Sequence, residues 1–323
     1  MDTDLLGLVD PGLRVSALQI KAAMDRFGPM SDEKLVMWRA LNDSVIRPPL
    51  EDIAVTEQRV ATAGGASDVA VYVINARPGR ACPGILHMHG GGFYAGSARV
   101  SLRDMQETAL ALDCTIVSVD YRIAPETRYH GSLEDNYSSL CWMYDHAEEI
   151  GVDRERIAVT GESAGGGHAV LLSIAARDRG GPSIQFQMLT YPMLDDRTGI
   201  VRPVPAHIGA FGWSVDANRF GWSCFLGQEP GGNDVPTEAV PARIENLAGL
   251  PPTFIGVGGL DFFVGENLEF ARRLIASGVP TELLIVPGAF HGFDTVVREA
   301  DISKRFEAAK RDALRRAFDR SSL

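Results

Sequence analysis

The chain has 323 residues, of which 45% are hydrophobic and 23% are charged, a composition typical of globular proteins. It excludes collagen-like, disordered and disulfide-scaffold architectures. The formal net charge of −11 argues against a general nucleic-acid binder or a protein held on an anionic membrane, because both need a basic face.

Cysteine spacing and the N-terminus indicate where the protein works. The four cysteines are far apart and include no C-x-x-C pair, which argues against a zinc ribbon, a redox motif and a disulfide framework. The acidic start Met1-Asp2-Thr3-Asp4 has no basic region leading into an apolar run. No apolar stretch approaches the ~18–20 residues of a membrane span. We therefore expect a cytoplasmic protein.

The first fifty residues are interrupted by glycine and proline and predict one helix, capped by Ser31 and ending near Asn42. After the double proline the pattern changes. Residues 53–60 and 69–74 predict two strands joined through Gly64-Gly65 as a hairpin. We assign residues 1–50 to an N-terminal cap segment and 51–323 to the main domain.

From residue 85 onward, short apolar runs alternate with helical patterns. Apolar strands that alternate with helices predict a parallel sheet covered on both faces, and hence an α/β fold. The predicted strands are 85–89, 115–120, 157–160, 184–189, 253–257 and 281–286, and the predicted helices lie near 100–112, 133–149, 165–177, 266–277 and 302–318. Residues 193–245 are rich in Pro, Gly and Trp, and we interpret them as a lid insertion.

The strongest local motif is Gly161-Glu162-Ser163-Ala164-Gly165, which lies between a predicted strand and a predicted helix. G-x-S-x-G in this setting is a nucleophile elbow, a sharp turn that exposes the serine above the sheet. The helix that follows directs backbone N–H groups at the reaction centre. The alternative is a glycine-rich turn that packs helix on strand.

A second motif, His89-Gly90-Gly91-Gly92, follows an apolar run. Consecutive glycines let backbone N–H groups turn toward a ligand, as an oxyanion hole requires. The predicted donors are the N–H groups of Gly91, Gly92 and Ala164. The alternatives are a flexible loop and a zinc pair formed by His87 and His89, although no cysteine or acidic cluster completes a ligand set.

A serine needs a base, and seven histidines are available. We select His291, which follows the last predicted strand in a turn-like segment. His168 lies in the elbow helix and should be carried away from the site, and His146 lies near the end of a long helix. His130 and His207 fall in irregular regions, where they could line a pocket.

The base in turn needs an orienting carboxylate. Asp261 ends a predicted strand one helix before His291, which matches the chain order Ser…Asp…His of α/β hydrolases. Two competitors are present. We expect Glu266 to cap the first turn of the following helix and Asp294 to lie at the surface.

With these motifs the chain resembles the hormone-sensitive-lipase-like carboxylesterases, also called bacterial esterase family IV, of the α/β-hydrolase superfamily. His89-Gly90-Gly91-Gly92-Phe93 matches the family's HGGGF box, and 121–126 (Y-R-I-A-P-E) is similar to its Y-R-L-A-P-E stretch. Residues 161–166 resemble its G-D-S-A-G-G elbow, and 291–293 its histidine box. The resemblance implies an α/β-hydrolase fold with a mostly parallel eight-stranded sheet and a helical cap.

The chain departs from the family pattern at three places. Glu162 replaces the usual Asp or Thr before the nucleophile, a change that should leave the oxyanion N–H groups intact. Asp261 is followed by Phe262-Phe263-Val264 in place of Pro-Leu-x-Asp. After Glu126 the chain reads Thr-Arg-Tyr-His-Gly, where the family usually has an aromatic residue, Pro and Ala.

Substrate selection is expected in the lid and the N-terminal cap. We take four aromatic side chains as candidate walls of an apolar pocket: Phe93, Trp38, Phe211 and Trp213. The alternative is that such residues form a small core of the lid itself. Asp195-Asp196-Arg197 at the start of the lid is interpreted as a local ion-pair turn.

Together these residues predict a serine carboxylesterase that works through an acyl-enzyme, and the family resemblance implies short- to medium-chain esters as substrates. Two alternatives remain: hydrolysis of another acyl bond (aryl formamide, lactone or carbonate) on the same triad, or a non-catalytic ligand receptor on this fold. No metal or nucleotide cofactor is implied, since no Walker or G-x-G-x-x-G match follows a strand. The expected partner is a small-molecule ester. The apolar segment 279–286 would also permit the homodimer common in the family.

Overall fold

The computed structural model describes residues 3–44, 46–62 and 68–319, and its centre is one sheet of eight strands. The strands lie in the order β1-β2-β4-β3-β5-β6-β7-β8. All neighbours pair in parallel except at β2, which is antiparallel to both β1 and β4. Their bounds are β1 Val55–Ala61, β2 Asp68–Ile74, β3 Cys82–Met88, β4 Thr115–Asp120, β5 Val152–Glu162, β6 Phe186–Thr190, β7 Thr253–Gly258 and β8 Thr281–Val286.

Helices connect the strands and supply the segments outside the sheet. The described helices are α1 Thr3–Gly7, α2 Arg14–Phe27, α3 Asp32–Asp43, α4 Ala98–Leu112, α5 Tyr129–Asp145, α6 Ala147–Ile150, α7 Ala164–Arg179, α8 Val215–Leu226, α9 Val264–Ala276, α10 Phe293–Val296 and α11 Asp301–Asp319. None of the described helices combines the length and apolar character needed to cross a membrane.

The apolar runs that predicted the strands occupy the central positions of the sheet. β3, β4 and β6 are buried along almost their entire length, because helices cover both faces. One apolar cluster joins one face of the sheet to α5 and α7, and a second joins the other face to α4 and α11. The predicted α/β fold with a mostly parallel eight-stranded sheet is therefore confirmed.

Sequence prediction missed several helices outside the sheet. α2 is amphipathic and α8 lies within the segment interpreted as a lid, where glycine and tryptophan obscure the helical period. α5 begins at Tyr129, so His130 lies on a helix and its assignment to an irregular region was wrong. Ser31 occupies the N-cap position of α3, but its side chain makes no capping hydrogen bond. Residues 64 and 65 of the predicted hairpin turn lie outside the described residues; the strands on either side pair antiparallel.

The N-terminal segment and residues 193–245 contact the same loop beside the carboxyl ends of the strands. Leu35 of α3, Trp213, and Trp222 and Phe225 of α8 form one apolar cluster with Phe93 and its neighbours. This cluster brings side chains far apart in the chain to the residues that follow β3.

Candidate active site

Ser163 lies at the sharp junction between β5 and α7. Its backbone has φ +56° and ψ −120°, a strained conformation for a residue with a side chain. Hydrogen bonds hold it there: the Ser163 N–H donates to the Thr190 carbonyl (2.9 Å), and its carbonyl accepts from the Met193 N–H (2.9 Å). A side chain at Gly165 would overlap the Met88 carbonyl, so a glycine is required for the close approach of α7 to β3.

The side chains of Ser163, His291 and Asp261 form one hydrogen-bonded chain. The Ser163 hydroxyl donates to His291 Nε2 (3.0 Å), and His291 Nδ1–H donates to Asp261 Oδ2 (2.8 Å). Asp261 is fully buried, and its other oxygen accepts from the Phe263 N–H (2.8 Å). Each group is thereby oriented by the next, as nucleophilic catalysis by serine requires.

Backbone hydrogen bonds bring the histidine and the carboxylate together. The Leu260 N–H donates to the Ala289 carbonyl (2.9 Å), and the Gly259 N–H donates to the Val286 carbonyl (2.8 Å). The loops that follow β7 and β8 therefore run side by side. Because these strands are parallel neighbours, their carboxyl ends open at the same edge of the sheet as Ser163.

The three predicted oxyanion donors lie in the turns around Ser163. Gly91 and Gly92 have φ values of +129° and +62°, which L-residues rarely adopt, and Ala164 is the first residue of α7. A Cβ at Gly90 would come within 3.6 Å of Ser163 Cβ, which places this loop directly against the nucleophile. Within the described chain, none of the three N–H groups donates a hydrogen bond, so all three are available to an incoming oxygen.

Behind the elbow, the buried His87 pairs with the partly buried Glu162. His87 Nε2–H donates to Glu162 Oε2 (3.0 Å), and the Ser118 hydroxyl donates to His87 Nδ1 (2.8 Å). Burial raises the pKa of Glu162, but the adjacent His87 and the more distant Lys310 lower it, and the net shift is downward. Both ring nitrogens of His87 are thus occupied. No group of three or more potential metal ligands lies together in the described part of the chain, so the zinc interpretation of His87 and His89 has no support.

A second buried polar network supports the segment that carries His291. The Tyr191 ring packs edge-on against His291 with centroids 4.6 Å apart, and its hydroxyl donates to Asp294 Oδ1 (3.0 Å). Lys310 Nζ of α11 donates to Asp294 Oδ2 (3.0 Å). Burial raises the pKa of Asp294, but the ammonium of Lys310 and the hydrogen bonds that the carboxylate accepts lower it, and the net shift is downward. The expectation that Asp294 lies at the surface was therefore wrong.

Glu266 also differs from its predicted role. It lies in the first turn of α9, but its fully buried carboxylate accepts hydrogen bonds from the Leu194 N–H (2.6 Å), the Asp195 N–H (3.3 Å) and the Thr198 hydroxyl. Burial raises its pKa well above the usual value. Glu266 therefore anchors the chain that enters residues 193–245, where Asp195 pairs with Arg197 (2.7 Å) as the ion-pair interpretation expected.

The four candidate pocket residues lie in different surroundings. Trp213 packs against the oxyanion loop, where a Cβ at Gly92 would overlap its ring, and its centroid is 6.1 Å from that of His291. Phe93 is buried and stacks on Phe225 of α8 with centroids 4.0 Å apart. Phe211 packs near Phe290, and Trp38 packs on Phe27 within the N-terminal segment. Of the four, Trp213 is the residue whose ring lies beside a triad side chain, that of His291.

Sequence reasoning missed the groups that support the site. Lys310 could have been found, because it interrupts the apolar stripe of α11 formed by Ile302, Phe306, Ala313 and Leu314. Tyr191 and the Glu162–His87 pair gave no such signal, since their partners lie in elements far away in the chain.

Comparison with known proteins gives a consistent identity. A family model described as alpha/beta hydrolase fold matches residues 85–295. The chain is 33% identical to Esterase LipI of Mycobacterium tuberculosis over 78% of this chain and 79% of that protein. It is 34% identical to Carboxylesterase NlhH of the same species over 65% of this chain and 66% of that protein. A solved structure titled Bacterial Heroin Esterase superposes with a TM-score of 0.88, at 33% identity, covering 98% of this chain and 99% of that one. The motifs, the sheet and these relatives together show that the chain belongs to the hormone-sensitive-lipase-like (family IV) carboxylesterases of the α/β-hydrolase superfamily.

Proposed function

We propose that Ser163, His291 and Asp261 are the catalytic residues of this carboxylesterase. His291 Nε2 removes the hydroxyl proton as Ser163 Oγ attacks the ester carbonyl carbon, and the resulting imidazolium returns the proton to the departing alkoxide. A water deprotonated by the same nitrogen then attacks the acyl-enzyme and releases the acid. Asp261 holds the Nδ1–H tautomer and stabilises the imidazolium.

In this proposal, Gly91, Gly92 and Ala164 form the oxyanion hole. Their N–H groups bind the carbonyl oxygen more strongly as it gains negative charge, which lowers the energy of the transition state more than that of the bound ester. The positive dipole end of α7 acts in the same direction.

The observation that carries the proposal is the continuous hydrogen-bonded chain from Ser163 Oγ through His291 to buried Asp261. A ligand receptor would have no use for a buried carboxylate aligned on that histidine. Glu266 and Asp294, the competing acids, bind the 194–198 segment and Lys310 respectively.

We further propose that residues 1–50 and 193–245 act as cap and lid on a catalytic domain within 51–323, and that the substrates are short- to medium-chain esters. Trp213 supports this range, because its indole lies between the oxyanion loop and His291 and limits the room around Ser163. The remaining aromatic side chains of the cluster are packed against one another.

The test is hydrolysis of p-nitrophenyl esters from acetate to decanoate by the protein and by Ser163→Ala. We expect a burst followed by turnover, with the highest rates at short acyl groups, and a loss of both in the variant. An organophosphate should form a stoichiometric adduct on Ser163. Turnover equal to that of Ser163→Ala would refute the proposed triad. A preference for aryl formamides, lactones or carbonates would show that the substrates belong to that class instead.

A cytoplasmic location and a homodimer remain part of the proposal. The four cysteines are unpaired, which suits a reducing compartment. β8 lies at the edge of the sheet with Ile285 partly exposed, so a second copy could pair there. Cell fractionation and light scattering on the purified protein test the two statements separately.

A further inference from the structure

Arg39 of α3 makes an unusual set of contacts for a residue of the N-terminal segment. Its Nε–H donates to the Tyr94 carbonyl (2.8 Å), and Nη2–H donates to the Ala124 carbonyl (2.9 Å). The same guanidinium forms a bidentate pair with Glu126, in which both N···O distances are 2.7 Å. One side chain therefore joins the cap helix to two separate loops.

One carbonyl belongs to the turn that contains Gly91 and Gly92, and the other belongs to a loop that is hydrogen-bonded to that turn at Phe93. The turn that contains Tyr94 closes on Gly91, whose carbonyl accepts from the N–H groups of Tyr94 (3.3 Å) and Ala95 (3.0 Å). The Ala124 N–H donates to the Phe93 carbonyl (2.9 Å). Arg39 thus completes a ring of hydrogen bonds that runs from α3 through residues 91–95 to residues 124–126 and back.

We infer that Arg39 is a positioning residue for the oxyanion hole, so that the N-terminal segment contributes to catalysis by fixing the Gly91–Gly92 backbone. This inference rests on the proposed function. In the described part of the chain Arg39 makes no hydrogen bond to Ser163, His291 or Asp261, and it acts through the Tyr94 and Ala124 carbonyls.

The hydrogen bonds and the ion pair that Arg39 makes require an arginine side chain. A guanidinium presents a planar set of donors that meets a carboxylate and two carbonyls at once, whereas a lysine ammonium is a point charge on a flexible stem. The Arg39 side chain is 26% exposed and that of Glu126 is 62% exposed, so the ion pair by itself stabilises the fold little. Its main consequence is the geometry that it imposes. The hydrogen bond from Arg39 lowers the pKa of Glu126 to about 2, and both groups stay charged wherever the enzyme is assayed.

The experiment compares Arg39→Ala and Arg39→Lys with a matched control, Arg47→Ala. Arg47 also belongs to the N-terminal segment. It forms partly buried ion pairs with Asp104 and Glu107 of α4 and contacts neither loop. Three quantities are measured: kcat and KM for p-nitrophenyl acetate, the inhibition constant of a trifluoromethyl ketone that forms a tetrahedral adduct on Ser163, and Tm.

We expect both Arg39 variants to lose roughly 10- to 100-fold in kcat, because a small misplacement of oxyanion donors has an effect of that order. The affinity for the trifluoromethyl ketone should fall in proportion to kcat/KM, while KM changes much less. Arg47→Ala should keep kcat within about 2-fold of the wild type. Should Arg39→Ala fail to fold, Arg39→Lys decides the question by the same readouts.

The inference is overturned if kcat of the Arg39 variants matches that of Arg47→Ala, if the loss lies entirely in KM, or if Arg39→Lys restores full activity. A wild type without turnover, or one equal to Ser163→Ala, instead refutes the proposed function. The two failures are therefore distinguishable.

Discussion

Two regions flank Ser163, and they are held in place by different means. On the histidine side, the loop that carries His291 is anchored by Asp294 to Lys310 of α11, in an ion pair almost removed from solvent. On the side of the proposed oxyanion hole, the partly buried Arg39 binds the Tyr94 carbonyl beside Gly91 and Gly92 and pairs with the exposed Glu126. A buried pair couples local geometry to the stability of the whole domain, whereas an exposed clamp controls alignment at little cost in folding free energy.

The largest expected effect lies on the histidine side and concerns the orienting acid. Asp261→Asn should lower kcat by about 10⁴-fold with little change in KM, because an amide stabilises neither the required tautomer nor the imidazolium. Steady-state kinetics on p-nitrophenyl acetate measure this. Glu266→Gln is the matched control, since its side-chain oxygen can still accept from the 194–195 backbone, and a few-fold change at most is expected. A larger loss in Glu266→Gln than in Asp261→Asn would reassign the acid.

The second prediction concerns how much the buried ion pair on the histidine side contributes to the stability of the fold. Lys310→Met leaves the Asp294 carboxylate buried without its cation, and the free energy of unfolding should fall by about 3–5 kcal/mol. Denaturant titration measures the change. Lys304→Met on the same helix removes a cation from an exposed pair with Glu299 and should cost less than about 1 kcal/mol. Equal losses in the two variants would show that the Asp294 pair has no special role.

On the oxyanion side, Gly91→Ala should impair catalysis more than folding. The residue has φ +129°, and an added Cβ would overlap the Ala95 carbonyl, so the loop must shift. We expect kcat to fall by roughly 10²- to 10³-fold, as for loss of an oxyanion donor. Gly265→Ala in α9 meets nothing within 4 Å and should raise the free energy of unfolding by up to about 1 kcal/mol. If Gly91→Ala kept the wild-type kcat, Gly91 would not be part of the oxyanion hole.

The smallest effect concerns His168, which packs against Phe93 of the oxyanion loop with centroids 5.3 Å apart. Burial lowers the pKa of His168 to about 3, below its value of about 6.5 in the unfolded chain. The unfolded state therefore binds the proton more tightly. The stability that the neutral ring contributes is complete above about pH 6.5 and declines as the pH falls toward 3.

Because the pKa of His168 differs between the folded and unfolded states, the free energy of unfolding depends on pH. Between pH 8 and pH 5 the wild type should lose about 2 kcal/mol more of its unfolding free energy than His168→Leu does. Denaturant titrations at the two pH values measure that difference. His130→Leu replaces an exposed histidine and should lose as much as the wild type. Parallel losses in the wild type and His168→Leu would mean that His168 is not held neutral by burial.

Much of this protein could be predicted from local patterns. Apolar runs predicted the strands because a sheet covered on both faces leaves no polar positions in them. The motifs around Ser163, Gly91 and His291 predicted the edge of the sheet where the site lies, since each follows a strand of one parallel sheet. Chain order then selected Asp261, and the structure brings all three side chains of the predicted triad together.

What escaped prediction depends on partners distant in the chain. Asp294 was expected at the surface, but it is buried next to Lys310 of another helix, whose ammonium balances the charge of the carboxylate. Glu266 was assigned to its own helix, whereas its carboxylate binds residues 194–198. α8 was missed because glycine and tryptophan obscure its helical period, whereas α2 is amphipathic but is flanked by glycine and proline residues, and packing in the fold stabilises both helices.

The sequence by itself determined the sheet, the elbow and the order of the chemical groups. Buried strands require consecutive apolar residues and tight turns require glycine at fixed positions, so both can be recognised from neighbouring residues. Only the tertiary structure decided which charges pair across the fold and which side chains contact the glycine loop of residues 90–92. Arg39 and Glu126 are 87 residues apart, and no local pattern couples them. Their interaction exists because folding brings α3 against the loops that follow β3 and β4, and a guanidinium there meets its acceptors at hydrogen-bond distance.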